Sequence, residues 1–134
     1  MIGYTMVGVR DLDRAARFYD PLFEVMGIAR QFTDEEALAW GHADETTARF
    51  IACLPFDGAE ASVGNGTMTA FLVDGPETID RLHALVLENG GSDEGAPGRR
   101  PRYGEGFYGA YARDRDGNKI AFVCYDAPPE GTSK

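Results

Sequence analysis

A strand-like run from Ile2 ends at Val9-Arg10-Asp11, and a helical pattern starts at once. The same junction returns at Val73-Asp74-Gly75, where Thr67 to Val73 reads as a strand and Pro76 takes the first helical position. A strand–helix junction recurring after about 60 residues is the mark of a duplicated structural unit. Each unit buries one face of a helix on one face of a sheet and leaves the other sheet face uncovered. Two uncovered faces that meet enclose a curved cavity. The expected fold is therefore α+β: two β-α-β-β-β modules, about 1–54 and 67–125, forming a curved mixed sheet around a cup.

Within the first unit, Asp11 is the expected N-cap of a helix carrying Leu12, Ala15, Ala16, Tyr19, Leu22, Phe23 and Met26 on one stripe. Gly27 stops it. Pro21 lies inside the pattern, lacks a backbone donor, and is expected to kink or break the helix there. Three short strands follow, at Ala29 to Thr33, Ala37 to Gly41 and Ala48 to Leu54. Residues 55–66, with Pro55, Asp57-Gly58 and Gly64-Asn65-Gly66, have linker composition.

In the second unit Ile79, Leu82, Leu85 and Val86 give the helix its inward stripe, and Gly90-Gly91 ends it. Ser92 to Gly106 reads as a Gly/Pro/Arg-rich loop with room for one short strand. The chain then closes in a hairpin. Asp116-Gly117-Asn118 is turn chemistry between the β-prone run Phe107 to Ala112 and the apolar run Ile120 to Tyr125. Alternation puts Ala121, Val123 and Tyr125 on one face of the last strand and Ile120, Phe122 and Cys124 on the other. Residues 127–134 are expected to be a disordered tail.

Composition narrows the partners. Thirteen basic against twenty-two acidic side chains leave a net charge of −9, which repels phosphate backbones and argues against nucleic acid. No segment approaches the roughly 20 apolar residues of a membrane span. Met1-Ile2 runs directly into the first strand with no signal-peptide pattern, so a cytoplasmic protein is expected. Cys53 and Cys124 lack CxxC spacing; reduced thiols are the expectation, with a single disulfide left open. No nucleophile elbow, Walker loop or dinucleotide fingerprint is present.

Three stretches in order carry a resemblance. Met6 to Asp20, Gly64 to Phe71 and Asp114 to Ile120 are similar to the vicinal oxygen chelate superfamily, which includes glyoxalase I, bleomycin- and fosfomycin-resistance proteins and extradiol dioxygenases. The resemblance runs from about Met1 to Tyr125. It implies paired modules, a site inside the cup and a homodimer. It also implies a divalent metal held by a His on the first strand, a His opening the second half and a Glu on the last strand. Such a face leaves positions open for substrate oxygens. Those positions here hold Tyr4, Met68 and Ala121, so the resemblance implies a lost metal site and no cofactor. His42, in a strand–strand turn, and His83, on a helix outside the sheet, do not replace them.

The candidate lining of the cup is then Tyr4, Met6, Met68, Arg102, Tyr103, Tyr108, Ala121 and Val123, with Tyr125 beyond. An apolar cup with a few phenols suits an aromatic molecule, and the basic cluster Arg99, Arg100 and Arg102 suits a carboxylate. Packing in the core or at a dimer interface accounts for each aromatic equally well, and solvated pairing with Glu94 or Glu105 accounts for the arginines. Two function classes follow. One is a binding protein that holds a small aromatic or carboxylate-bearing molecule without chemistry. The other is a lyase or dioxygenase of glyoxalase I type, metal-independent or with displaced ligands.

Overall fold

A computed structural model of the chain describes residues 1–129. The first module comprises β1 (Thr5–Gly8), α1 (Leu12–Val25), β2 (Ile28–Thr33), β3 (Ala37–His42) and β4 (Phe50–Cys53). The second comprises β5 (Thr69–Leu72), α2 (Pro76–Glu88), β6 (Ser92–Arg99), β7 (Tyr108–Arg113) and β8 (Lys119–Cys124), with one 3₁₀ turn at Pro101–Tyr103. Each module is one four-stranded sheet, ordered β1-β4-β3-β2 and β5-β8-β7-β6. First and last strands pair in parallel in both, and the other neighbours are antiparallel. Among the described residues no helix is long and apolar enough to cross a membrane.

The helix starts follow local chemistry. The Asp11 carboxylate accepts the Arg14 backbone N–H at 3.1 Å, and Pro76 opens α2. Pro21, however, neither breaks nor ends α1, which runs through it to Val25. Phe18, Tyr19, Leu22 and Phe23 are buried on both sides of the proline, and their packing outweighs one missing hydrogen bond.

The helix-facing sides of both sheets share one core. Trp40 and Phe50 from the first module pack in the same cluster as Ile120, Phe122 and Cys124 from the second, with Ile79, Leu82 and Val86 of α2. Phe71 joins the modules, its ring 5.3 Å from that of Phe23, 5.1 Å from Phe50 and 5.9 Å from Phe122.

A polar latch completes the junction. The β7–β8 turn, with Gly117 at φ +92°, reaches the start of α1. The buried Asp114 carboxylate accepts from the backbone N–H groups of Asp116 and Asn118, from Asn118 Nδ2 and from the Tyr19 hydroxyl. Asp116 Oδ1 accepts from the Arg10 backbone and the Arg14 guanidinium. Asn118 Nδ2 also donates to the Gly8 carbonyl at 2.8 Å. Buried carboxylates supplied this fully with donors and cations hold a specific geometry.

Two further expectations need correction. Ser92 to Gly106 is not mainly loop: Ser92–Arg99 is an eight-residue strand, β6, paired with β7 through two irregularities in register. The glycines and Pro97 that made it look unstructured sit at an edge strand with bulges, where they are tolerated. The expected tail begins with packed residues, since Ala127 is buried and donates its N–H to the Gly106 carbonyl at 2.9 Å. The rest of that tail, 130–134, lies outside the described residues.

Candidate functional site

The open face of the second sheet is built from small residues with large ones around them. Pairing register carries one row across it, Ala70, Ala121, Tyr111 and Gly95, and the next through Leu72, Val123, Gly109 and Gly98. Five of these eight are alanine or glycine, which leaves a hollow rather than a filled layer. A cavity of about 680 Å³ opens there. Its lining belongs wholly to the second module: Met68, Ala70, Glu94, Gly95, Arg100, Arg102, Tyr103, Phe107, Tyr111, Lys119, Val123 and Tyr125.

The glycines of β6 decide where its cations go. A Cβ on Gly95 would stand 2.9 Å from Tyr111 Cδ2, and one on Gly98 would stand 3.1 Å from an Arg100 guanidinium nitrogen. Bare backbone at both positions lets Arg100 fold back along the strand. Its guanidinium donates to the Ala96 carbonyl at 2.8 Å and lies 5.4 Å from the Tyr111 ring centroid. Lys119 Nζ approaches the same ring at 5.9 Å. Arg102 lies 4.8 Å from the Tyr103 centroid and donates to its hydroxyl at 2.5 Å. Tyr103 meets Phe107 edge-on at 5.3 Å, and Phe107 lies 5.7 Å from Tyr125, so one end of the cavity has an aromatic wall.

Charge in the cavity has the opposite sign to the chain. Arg100, Arg102 and Lys119 form no ion pair with a carboxylate among the described residues. Glu94, the one carboxylate in the lining, is held by Arg113 Nε at 2.7 Å. All three cations lie against a tyrosine face without a carboxylate partner, a chemistry that suits a planar anion.

The residues expected in the cup separate into three groups. Met68, Arg102, Tyr103 and Val123 line this cavity, as does Tyr125, and Ala121 is fully buried in its floor against Phe107, Val123 and Tyr111. Tyr4 lies elsewhere, in a smaller cavity of about 380 Å³ between the modules, lined also by Phe23, Met26, Phe50, Phe71 and Leu72. Met6 lies half-exposed on the open face of the first sheet, in a row with Ile51, Ala39 and Phe32. Tyr108 is on the wrong face for a cup residue. It pairs with Cys124, packs against the common core and donates its hydroxyl to Asp80 of α2 at 2.6 Å. Partial burial and that carboxylate push its pKa up to about 12. In the β7 alternation Phe107, Gly109 and Tyr111 take the open face, which excludes Tyr108.

Tyr111, Phe107 and Lys119 were missing from the expected lining, and Arg100 was named only as part of the basic cluster. Tyr111 and Lys119 were within reach of the sequence, because the hairpin register sets Tyr111 opposite Ala121 and gives Lys119 the parity of Ala121. Arg100 belongs to the basic cluster that the sequence offers to a carboxylate, but its seat over Tyr111 depends on glycines in a segment read as loop. Arg99 turns away to the Pro128 carbonyl.

The three positions implied as metal ligands do not suit a divalent ion. Tyr4 lines a different cavity from Met68, and phenol, thioether and methyl are a poor donor set. No group of three His, Cys, Asp or Glu side chains converges among the described residues. His83 is buried on α2 with its Nε2 2.8 Å from Asp93 Oδ1, away from the cavity lining.

The glyoxalase/bleomycin resistance protein/dioxygenase superfamily model matches residues 1–122. A glyoxalase/bleomycin resistance protein from Albidiferax ferrireducens T118 is 34% identical, with a TM-score of 0.80 over 91% of this chain and 96% of that one. Glyoxalase I from Zea mays is 24% identical at a TM-score of 0.69, over 91% of this chain and 45% of its own length. Lactoylglutathione lyase from Agrobacterium tumefaciens is 19% identical at a TM-score of 0.65, covering 92% of each chain. At these two identities the likeness is one of fold. No curated protein matches the sequence. By the family match and the 34% identical relative, the chain belongs to the glyoxalase/bleomycin resistance protein/dioxygenase superfamily.

Proposed function

We propose that this protein binds a small aromatic carboxylate on the open face of its second module and holds no resident metal. The observation that carries this reading is the set of Arg100, Arg102 and Lys119, without carboxylate partners, around Tyr111 and Tyr103 in a chain of net charge −9. The ligand carboxylate sits between Arg100 and Lys119 beside Tyr111. Its ring lies against Tyr103, Phe107, Val123 and Tyr125, where stacking and apolar contact hold it. Charge-assisted hydrogen bonds from a planar guanidinium fix the orientation.

Binding without turnover is the favoured reading, because the lining offers no nucleophile–base pair and its single carboxylate is engaged by Arg113. The same reading includes a homodimer. Met6 and Phe32 are about half-exposed at 53% and 54%, and with Ile51 and Ala39 they form an apolar row that a second copy would cover.

Calorimetric titration with 3-phenylpropionate tests the reading, alongside metal analysis of the purified protein and turnover assays on thiol–ketoaldehyde adducts and catechols. Saturable binding that weakens with salt and survives chelator treatment is the expected result. Stoichiometric metal, or turnover abolished by a chelator, overturns it in favour of a metal-dependent lyase or dioxygenase.

A further inference from the structure

Strand β6 breaks its alternation at one residue. Asp93 faces the helix side, where its Oδ1 meets His83 Nε2 at 2.8 Å, while Gly95 pairs with Tyr111 on the open side. Glu94 is the extra residue between them, at the first irregularity in the β6–β7 register. The Asp93 carboxylate also accepts the Gly95 N–H at 3.0 Å, which shapes the bulge. Glu94 and Gly95, neighbours in sequence, therefore both line the cavity of about 680 Å³. The bulge brings an acid into a space lined by Arg100, Arg102 and Lys119.

Arg113 decides where that acid goes. In the alternation of β7 it shares the open face with Tyr111, and register sets it directly opposite Lys119. Its Nε donates to Glu94 Oε1 at 2.7 Å and its Nη1 to the Gly117 carbonyl at 2.8 Å. Bound at both points, the guanidinium is a fixed partner for Glu94. Lys119, a like charge directly opposite, gains nothing by approaching Arg113, and its Nζ lies 5.9 Å from the Tyr111 ring instead.

Glu94 carries the same group as the proposed ligand. Without Arg113 it would face three cations that have no carboxylate partner among the described residues. A charge-assisted contact to one of them would then be the strongest open to it.

We infer that Arg113 is a positioning residue for the binding site: by engaging Glu94 it stops this built-in carboxylate from occupying Arg100 and Lys119, and so keeps both open to an anionic ligand. The inference rests on the aromatic-carboxylate reading above and adds the group that maintains its charge.

Calorimetry with 3-phenylpropionate on the full chain tests it. Arg113→Met, which frees Glu94, is expected to weaken binding at least about fivefold, because an internal carboxylate then competes for a charge-assisted contact. Adding Glu94→Gln to Arg113→Met is expected to restore affinity to within about twofold of wild type. The bond to the Gly117 carbonyl stays lost in the double variant, so rescue reports Glu94 and not the hairpin. Arg115→Met removes an equal charge from an exposed turn outside the lining and is expected to change affinity by less than about twofold. Three results overturn the role of Arg113 alone: wild-type affinity kept by Arg113→Met, no recovery in the double variant, or an equal loss from Arg115→Met. Absence of saturable binding to wild type overturns the aromatic-carboxylate reading and this inference with it.

Discussion

The Tyr19 hydroxyl donates to Asp114 Oδ2 at 2.6 Å, joining a helix of the first module to the hairpin turn of the second across 95 residues. Both groups are buried. Burial above all, and then the Asp114 charge, hold the Tyr19 pKa well above its usual 10.0. Tyr19→Phe removes the donor and leaves Asp114 its three other partners. A loss of about 1–3 kcal/mol in urea denaturation is expected, as for removal of one buried partner. A loss below about 0.5 kcal/mol would show that the remaining donors suffice.

The same pair gives a pH dependence whose sign follows from linkage. A folded-state pKa raised above the unfolded value means stability that is complete below about pH 10 and lost as pH rises through the folded-state pKa. Tyr108, raised to about 12, adds in the same direction. Wild-type protein should therefore lose stability as pH rises from about 10 toward about 12, and Tyr19→Phe should lose less over that interval. Parallel curves for the two proteins would show that Tyr19 does not carry the dependence.

Face assignment can be tested by truncation. Phe122 is fully buried on the helix side, so Phe122→Ala is expected to cost about 3–5 kcal/mol. Met6 is half-exposed on the open side, and Met6→Ala in monomeric conditions is expected to cost below about 1 kcal/mol. Equal losses would place both residues in one core.

Within the cavity, Arg100→Ala and Lys119→Met should each weaken 3-phenylpropionate binding roughly tenfold, the value of one charge-assisted contact, with melting temperature nearly unchanged. Gly95→Val should weaken binding as well, since its side chain would displace Tyr111, whose Cδ2 is 2.9 Å from a Cβ placed there. Tyr108→Phe is the control. It breaks the bond to Asp80 on the other face and should leave affinity as it was.

Assembly has its own readout. Phe32→Glu puts a charge into the apolar row with Ala39, Ile51 and Met6, and sedimentation should show the variant shifted to monomer at concentrations where wild type is a dimer. A wild type that sediments as a monomer at micromolar concentration would remove the dimer from the proposal.

The sequence alone determined the duplicated β-α-β-β-β plan, the helix start at Asp11 and the two faces of β8, with Ile120, Phe122 and Cys124 inward. These follow from periods of 3.6 and 2 and from caps and turns, which are properties of neighbouring residues. It did not reveal that Pro21 stays within α1 or that Ser92–Arg99 is a strand, because core packing in one case and pairing with β7 in the other override local preference. The Asp114–Asn118 turn was legible as a hairpin; its role as a latch on Tyr19, Arg10 and Gly8 was not, since those partners are 95 to 110 residues away in sequence. Only tertiary structure moved Tyr4 into another cavity, turned Tyr108 to the helix side and laid Arg100 over Tyr111. Each of those placements depends on register between strands, and on glycines whose missing side chains matter only once the strands are paired.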